Sequence, residues 1–209
     1  MVHIVDGALS SPILIGGVVA AVAGVAIGLR GIEPDRIPHV GLMSAAFFVA
    51  SLVHVPLGPS SVHLLLNGLA GIVLGWAVFP AILIALLLQA VFFGYGGLTV
   101  LGVNVAVMAV PALVCSYAFR PALGGSAAFR WGAAIGATSV ALTCIAVGLA
   151  LALSGGEFIP AAKLVLATHV PVMGVEAVVT GSVVTLLQKV RPDVLAAPMV
   201  AMPRGAAGG

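Results

Sequence analysis

No aspartate, glutamate, lysine or arginine occurs between Arg36 and Arg120. A soluble fold cannot carry so long a stretch without charge, because about a quarter of the residues of an ordinary soluble domain are charged and solvate its surface. The whole chain of 209 residues holds only 8 Lys or Arg and 6 Asp or Glu, and 62% of it is hydrophobic. This excludes a soluble globular enzyme, a disordered segment, a nucleic-acid binder and a disulfide-stapled secreted domain. Each membrane-spanning helix needs about 20 mostly apolar residues. The chain therefore reads as an all-α polytopic membrane bundle that uses nearly its full length. Aromatic residues are scarce and Gly numbers 27, which favours helices packed through small residues over a β-barrel. Cys115 and Cys144 fall inside apolar runs and are expected as buried free thiols. The opening residues lack the basic, apolar and cleavage-site pattern of a signal peptide, so none is expected.

Seven apolar runs are legible: Pro12 to about Leu29, His39 to about Val53, about Val62 to Phe79, about Ala81 to Phe93, about Val100 to Phe119, about Trp131 to Leu153 and about Ala161 to Leu187. Pro80 is read as the break between the third and fourth. GIEPDRIP, the uncharged turn HVPLGPSS (54–61), the glycine-dense corner FGYGGLT and SGGEFIP connect runs. Residues 1–191 form one membrane domain with an inserted N-terminal loop (1–11), and 192–209 form a flexible tail. If the runs alternate from an external N-terminus, Arg30, Arg36, Arg120, Arg130, Lys189, Arg191 and Arg204 share the inner side and only Lys163 lies outside. That bias fits the rule that basic loops stay cytoplasmic, and it requires an odd number of spans. Residues 1–11, the 54–61 turn and the FGYGGLT corner then share the external face. No GxxxxGK[ST] loop occurs, so the chain is not itself an ATPase.

In so apolar a chain each ionisable group within a span is a functional candidate. These are His3, Asp6, His39, His54, His63, His169 and Glu176. His169 and Glu176 are seven apart in the last run and share a helix face. They read as a packing contact or as a proton relay. His63 and Asn67, four apart, are predicted to share one face of a helix near the outer surface. His54 is a weaker competitor on the same side. His3 has chelating neighbours that no internal histidine has: a terminal amine, backbone amides and its own Nδ1. Nitrogen donors in a plane select Ni(II) or Cu(II). With Met1 kept, the amine, two amides and the imidazole fill four positions. With Met1 removed, Val2 supplies the amine and one position stays open for a side chain such as His63. An amide must lose its proton to bind this way, so affinity should fall in acid.

The opening HIVDGALS, the block HVPLGPSSVHLLLNGLAGIVLGWAVFPAILIALLLQAVFFGYGGLTVLGVN and the following VMAVPAL resemble the CbiM/NikM family, the substrate-specific subunits of energy-coupling-factor transporters for cobalt and nickel. The resemblance is detailed from residue 3 to about 120. It implies a transported ion, Ni(II) or Co(II), bound at the extracellular side by the terminal amine, an amide and the imidazole of His3, and the imidazole of His63. It matches Asp6 and Gly7 to a turn that shapes the N-terminal loop, and Asn67 to a polar position behind the ligands. GPSSVHLL is more similar to the nickel branch. The family usually begins Met-His and this chain begins Met-Val-His, so the resemblance implies that Met1 is removed and Val2 donates the amine. It further implies a transmembrane coupling subunit, cytoplasmic ATPase subunits, a small accessory membrane subunit and residence in the cell (inner) membrane. Two rival readings use His169 and Glu176, one as an intramembrane metal enzyme with His63 and one as a proton-coupled solute transporter.

Overall fold

The computed structural model of the chain describes residues 4–52, 54–57 and 60–196. Seven helices cross or enter the bundle: α1 (Ser11–Arg30), α2 (Ile37–Leu52), α3 (Asn67–Leu74), α4 (Val78–Phe93), α5 (Leu101–Phe119), α6 (Ala128–Ser154) and α7 (Ile159–Val190). A short α8 (Pro192–Ala196) follows. Between α2 and α3 lies a two-stranded antiparallel ribbon, β1 (His54–Leu57) and β2 (Ser60–His63), whose register pairs His54 with His63 and Leu57 with Ser60. The protein is thus a multi-pass helical membrane bundle with one small β-hairpin, where the sequence had suggested a turn running into a helix.

By length and hydropathy, five helical stretches suffice to cross a membrane, and Asn67–Phe93 counts among them as one stretch. Its contacts divide it in two. Asn67 begins α3 beside Met108 and Thr143, midway along α5 and α6, whereas Arg36 donates to the Val73 carbonyl at 2.9 Å, next to the start of α2. α3 therefore descends from mid-bundle to the end that holds Arg36. α4 then climbs beside α2, since Ser44 donates to the Ala81 carbonyl (2.9 Å) and Gln89 to Ser51 (2.6 Å), in parallel order. The reversal falls at Gly75, with φ 58° and ψ −130°, a conformation that glycine adopts without steric cost. Pro80, read from the sequence as the break, instead sits in the first turn of α4, where its missing N–H costs nothing. The third apolar run is likewise not one helix. Its first part is β2 and an irregular link, and only Asn67–Leu74 is helical.

Small residues set the spacing of the helices. A Cβ on Gly17 would lie 2.3 Å from the Val103 side chain, and one on Gly102 would lie 2.8 Å from the Val18 backbone, so α1 and α5 touch along their main chains. Gly132 and Gly136 bring α6 equally close to α7. Gly68 and Gly71 of α3 face Ser139 and the Ala112 carbonyl, inside the bundle. They serve internal packing. Van der Waals contact and internal hydrogen bonds must hold such a bundle together, because lipid tails are as apolar as its side chains. The outward face is apolar accordingly, with Val19, Val22, Phe92, Leu149, Leu153, Val170 and Leu186 all exposed. Cys115 and Cys144 are free and buried.

The two ends of the bundle differ. Arg30, Arg36, Arg120, Arg130, Lys189 and Arg191 lie at or beyond the helix termini of one end, and Lys163 lies near the other. At the basic end Arg120 donates to the carbonyls of Leu195 (2.8 Å) and Val194 (3.3 Å). Residues 192–196, expected as part of a loose tail, are thus a docked helix. The rest of that tail, 197–209, lies outside the described residues.

Candidate functional site

The candidate site is at the end opposite the arginines, where residues 4–10 are tied to α5, to the turn before it and to the end of α6. Ile4 is buried, and the Asn104 amide clamps it: its N–H donates to Oδ1 and its carbonyl accepts from Nδ2, both at 3.0 Å. Asp6 Oδ1 accepts from the Thr99 N–H (3.2 Å), the Thr99 hydroxyl (2.5 Å) and the Val100 N–H (3.3 Å). These donors precede α5, so the carboxylate sits at a helix N-terminus, where negative charge is favoured. Gly97 lets it approach: a Cβ there would lie 2.1 Å from the Asp6 carboxyl carbon. Ser10 N–H donates to Ser154 Oγ at the end of α6 (3.1 Å). The glycine-dense corner and the N-terminal loop, both placed on one face from the sequence, are in direct contact.

His63 ends β2 and is buried. Its Nδ1 is 2.9 Å from the Leu64 carbonyl oxygen, which can only accept, so Nδ1 carries the proton and Nε2 of the neutral ring keeps its lone pair. A second-nitrogen hydrogen bond of this kind orients histidines that bind metals. The helix face predicted to carry both His63 and Asn67 does not exist. Leu66 between them adopts a left-handed conformation (φ 51°), and the helix begins only at Asn67. Asn67 is fully buried and saturated: it donates to the Met108 carbonyl (3.1 Å) and Thr143 (2.9 Å) and accepts from Ser139 (3.2 Å) and Gly68 N–H (3.0 Å). It joins α3 to α5 and α6 directly behind the His63 segment.

Glu176 supports the same segment from α7. Its Oε1 accepts from the backbone N–H groups of Leu65 (2.5 Å) and Leu66 (2.8 Å). Two successive N–H groups ending in a left-handed residue form a small concavity suited to an anion. Glu176 therefore holds the irregular link that carries His63. His169 is fully buried on the same helix, and its Nδ1 donates to the Val165 carbonyl at 2.8 Å. Sequence reasoning singled out Glu176 and His169 but missed that Glu176 clamps a backbone, and it missed Asn104 altogether. The only available signal for Asn104 was an amide inside the apolar run of α5. Met1, Val2 and His3 lie outside the described residues, and of His54 only the backbone pairing with His63 is described. Among the described residues no three His, Cys, Asp or Glu cluster as a ready metal cage.

Known proteins share this architecture. A relative in Haemophilus influenzae named for metal transport is 46% identical over 198 residues, 92% of this chain and 96% of its own. The fused nickel transport protein NikMN of Rhodobacter capsulatus is 39% identical over 114 residues, which are 52% of this chain and 33% of that longer one. A crystal structure of a transition metal transporter superposes with a TM-score of 0.78 at 26% identity, covering 90% of this chain and 93% of that one. Residues 3–194 match the family described as the cobalt uptake substrate-specific transmembrane region, CbiM, and the chain belongs to that family.

Proposed function

We propose that this protein is the membrane-embedded subunit that captures Ni(II) or Co(II) for an ATP-driven importer of the energy-coupling-factor type, and that it is not itself an enzyme. One observation carries the reading most directly. A buried histidine, His63, is locked by its Leu64 hydrogen bond into the tautomer that offers Nε2, and it sits at the end of the bundle to which the N-terminal loop is tied. Depth supports this. Asn104 is one helical turn, about 6 Å, nearer that end than Met108, whose carbonyl binds Asn67. Ile4 is therefore pinned roughly level with His63, which precedes Asn67 by four residues. The ligands in this reading are the terminal amine, amide and imidazole donors of Met1 or Val2 and His3, together with His63. Asp6 and Asn67 shape the loop and the floor, and His54 is a subsidiary donor.

The basic end faces the cytoplasm in this reading, as its arginines favour, and the capture end faces outward in the cell membrane. Energy comes from partners: a transmembrane coupling subunit, cytoplasmic ATPase subunits and a small accessory membrane subunit. The fused names among relatives, such as NikMN, support association with further subunits. The test is metal loading of the purified chain. An N-terminal extension that caps the amine, and separately His63→Ala, should each abolish Ni(II) and Co(II) retention while helical content is kept. Retention in both would overturn the ligand set. Metal uptake by cells that does not need a co-expressed ATPase would overturn the importer.

A further inference from the structure

The arginine-rich end of the bundle carries a cavity that ion capture does not use. It holds about 250 Å³ and opens where three parts of the chain meet: the turn into α2, the end of α3 and the α7–α8 junction. Asp35, Arg36 and His39 line it from the first, Val73 from the second, and Arg191 and Asp193 from the third. Arg36 is held in place by its bond to the Val73 carbonyl (2.9 Å). Asp193 accepts from Arg191 Nε (3.0 Å) and Nη2 (2.9 Å), and both side chains are more than half exposed, at 54% for Arg191 and 62% for Asp193. The Arg191 hydrogen bond holds the Asp193 carboxyl below the usual carboxylate range, and His39 lies near enough to add to the effect. An exposed ion pair of this kind is worth little, so it exchanges partners readily.

The cavity sits at the level where lipid headgroups lie. Trp and Tyr collect at membrane–water boundaries. Both tryptophans of the chain are at this end: Trp76 donates to the Tyr117 hydroxyl (2.9 Å), and Trp131 packs on Phe119 with 6.0 Å between ring centres. Val73 is three residues before Trp76, and Arg120, which docks α8, is three residues after Tyr117. Exposed apolar side chains adjoin the cavity. Ile37 follows Arg36 and Val190 precedes Arg191, and Leu42 and Leu186 continue the exposed apolar surface along α2 and α7.

Two guanidinium groups and two carboxylates on one wall repel a simple anion and a simple cation alike. They suit a group that carries both signs a few atoms apart. Guanidinium groups bind phosphate oxygens through charge-assisted hydrogen bonds. A primary ammonium brings three N–H donors for carboxylates to accept. We propose that this cavity binds the headgroup of a phospholipid with a primary amine, phosphatidylethanolamine, with its phosphate on Arg36 and Arg191 and its ammonium on Asp35 and Asp193. The acyl chains run along the exposed apolar surface of α2 and α7. A choline headgroup has the same charges but no N–H, and a glycerol headgroup has the phosphate without the ammonium, so both bind less well. The lipid would bridge the turn into α2 and the α7–α8 junction, and this site stands independently of the capture reading.

The experiment equilibrates the full purified chain with vesicles of equal parts phosphatidylethanolamine, phosphatidylcholine and phosphatidylglycerol with identical acyl chains. Native mass spectrometry counts the lipids that stay bound. The wild type should retain phosphatidylethanolamine over each of the others by about tenfold, the worth of one hydrogen bond between charged groups. The double variant Asp35→Asn, Asp193→Asn should lose that preference with its helical content unchanged, because both carboxylates are exposed. Arg191→Gln should lower retention of all three lipids. Equal retention of the three by wild type, or a preference that survives the double variant, overturns the proposal. So does complete displacement of the lipid by inorganic phosphate, which would make the cavity a site for a soluble anion.

Discussion

Removing the Asn104 amide is the sharpest test of how the N-terminal loop is held. It makes two parallel hydrogen bonds to one buried residue, Ile4, each 3.0 Å long. In Asn104→Ala, a loop that stayed docked would keep a buried N–H and a buried C=O without partners, at about 1–3 kcal/mol each. The chain avoids much of that penalty by letting residues near 4 lift away into water. The net loss is then the value of two ordinary buried hydrogen bonds, about 1–3 kcal/mol in total. At 1.4 kcal/mol per tenfold, the docked population falls by about 5- to 150-fold. If only the docked loop binds metal, apparent Kd rises by that factor at most. Asp6 and Ser10 remain anchored, so the lower part of the range is expected. Chelator competition measures Kd, and thermal unfolding in detergent should move less than Kd does, because the seven helices keep their mutual contacts when Ile4 leaves the edge of the buried core. Asn104→Asp keeps the acceptor for the Ile4 N–H but turns a carboxylate toward the Ile4 carbonyl, so it should bind metal no better than the Ala variant. An unchanged Kd in Asn104→Ala, or a loss of affinity that simply follows unfolding, would refute the argument.

Gly97→Val should push the Asp6 carboxylate off the start of α5, since even a Cβ would lie 2.1 Å from it. Metal affinity should fall while the circular dichroism of the helices stays as it was. Glu176→Ala leaves the Leu65 and Leu66 N–H groups without an acceptor and should destabilise the fold by at least about 2 kcal/mol; Glu176→Gln, which can still accept both bonds, should recover most of that in thermal unfolding. Gly68→Ala drives a methyl to within 2.5 Å of Ser139 Oγ and 3.1 Å of the Ile135 carbonyl. It should cost about 1–3 kcal/mol by overpacking without changing the imidazole count of bound metal.

The seven segments were legible because hydropathy depends on composition, and each run was long enough to stand out. Where the chain bends within an apolar stretch was not. A short apolar run reads alike as buried strand, irregular link or helix, so residues 60–66 looked continuous with the helix after them. Pro80 drew attention as a breaker, yet a proline is harmless in a first turn, and the reversal belongs to Gly75. Asp6 and the glycine corner could be assigned to one face from the parity of the spans alone, but their contact is visible only in the structure. Asn104 and the clamp made by Glu176 could not be found this way. Each depends on which backbone groups the fold leaves without a partner, and that is decided only when distant helices meet.

The eight residues of α3 have a consequence for how the protein is made. A helix of this length reaches only about 12 Å, far short of a hydrocarbon core, and an irregular link precedes it. Open backbone of that kind survives at membrane depth only when protein surrounds it. Glu176, which accepts from the Leu65 and Leu66 N–H groups, and Met108, Ser139 and Thr143, which hold the Asn67 side chain, all come later in the chain. During synthesis the segment cannot settle on its own. Its partners are complete only once α7 has been made, so the pocket wall built from the middle of the polypeptide depends on the last long helix.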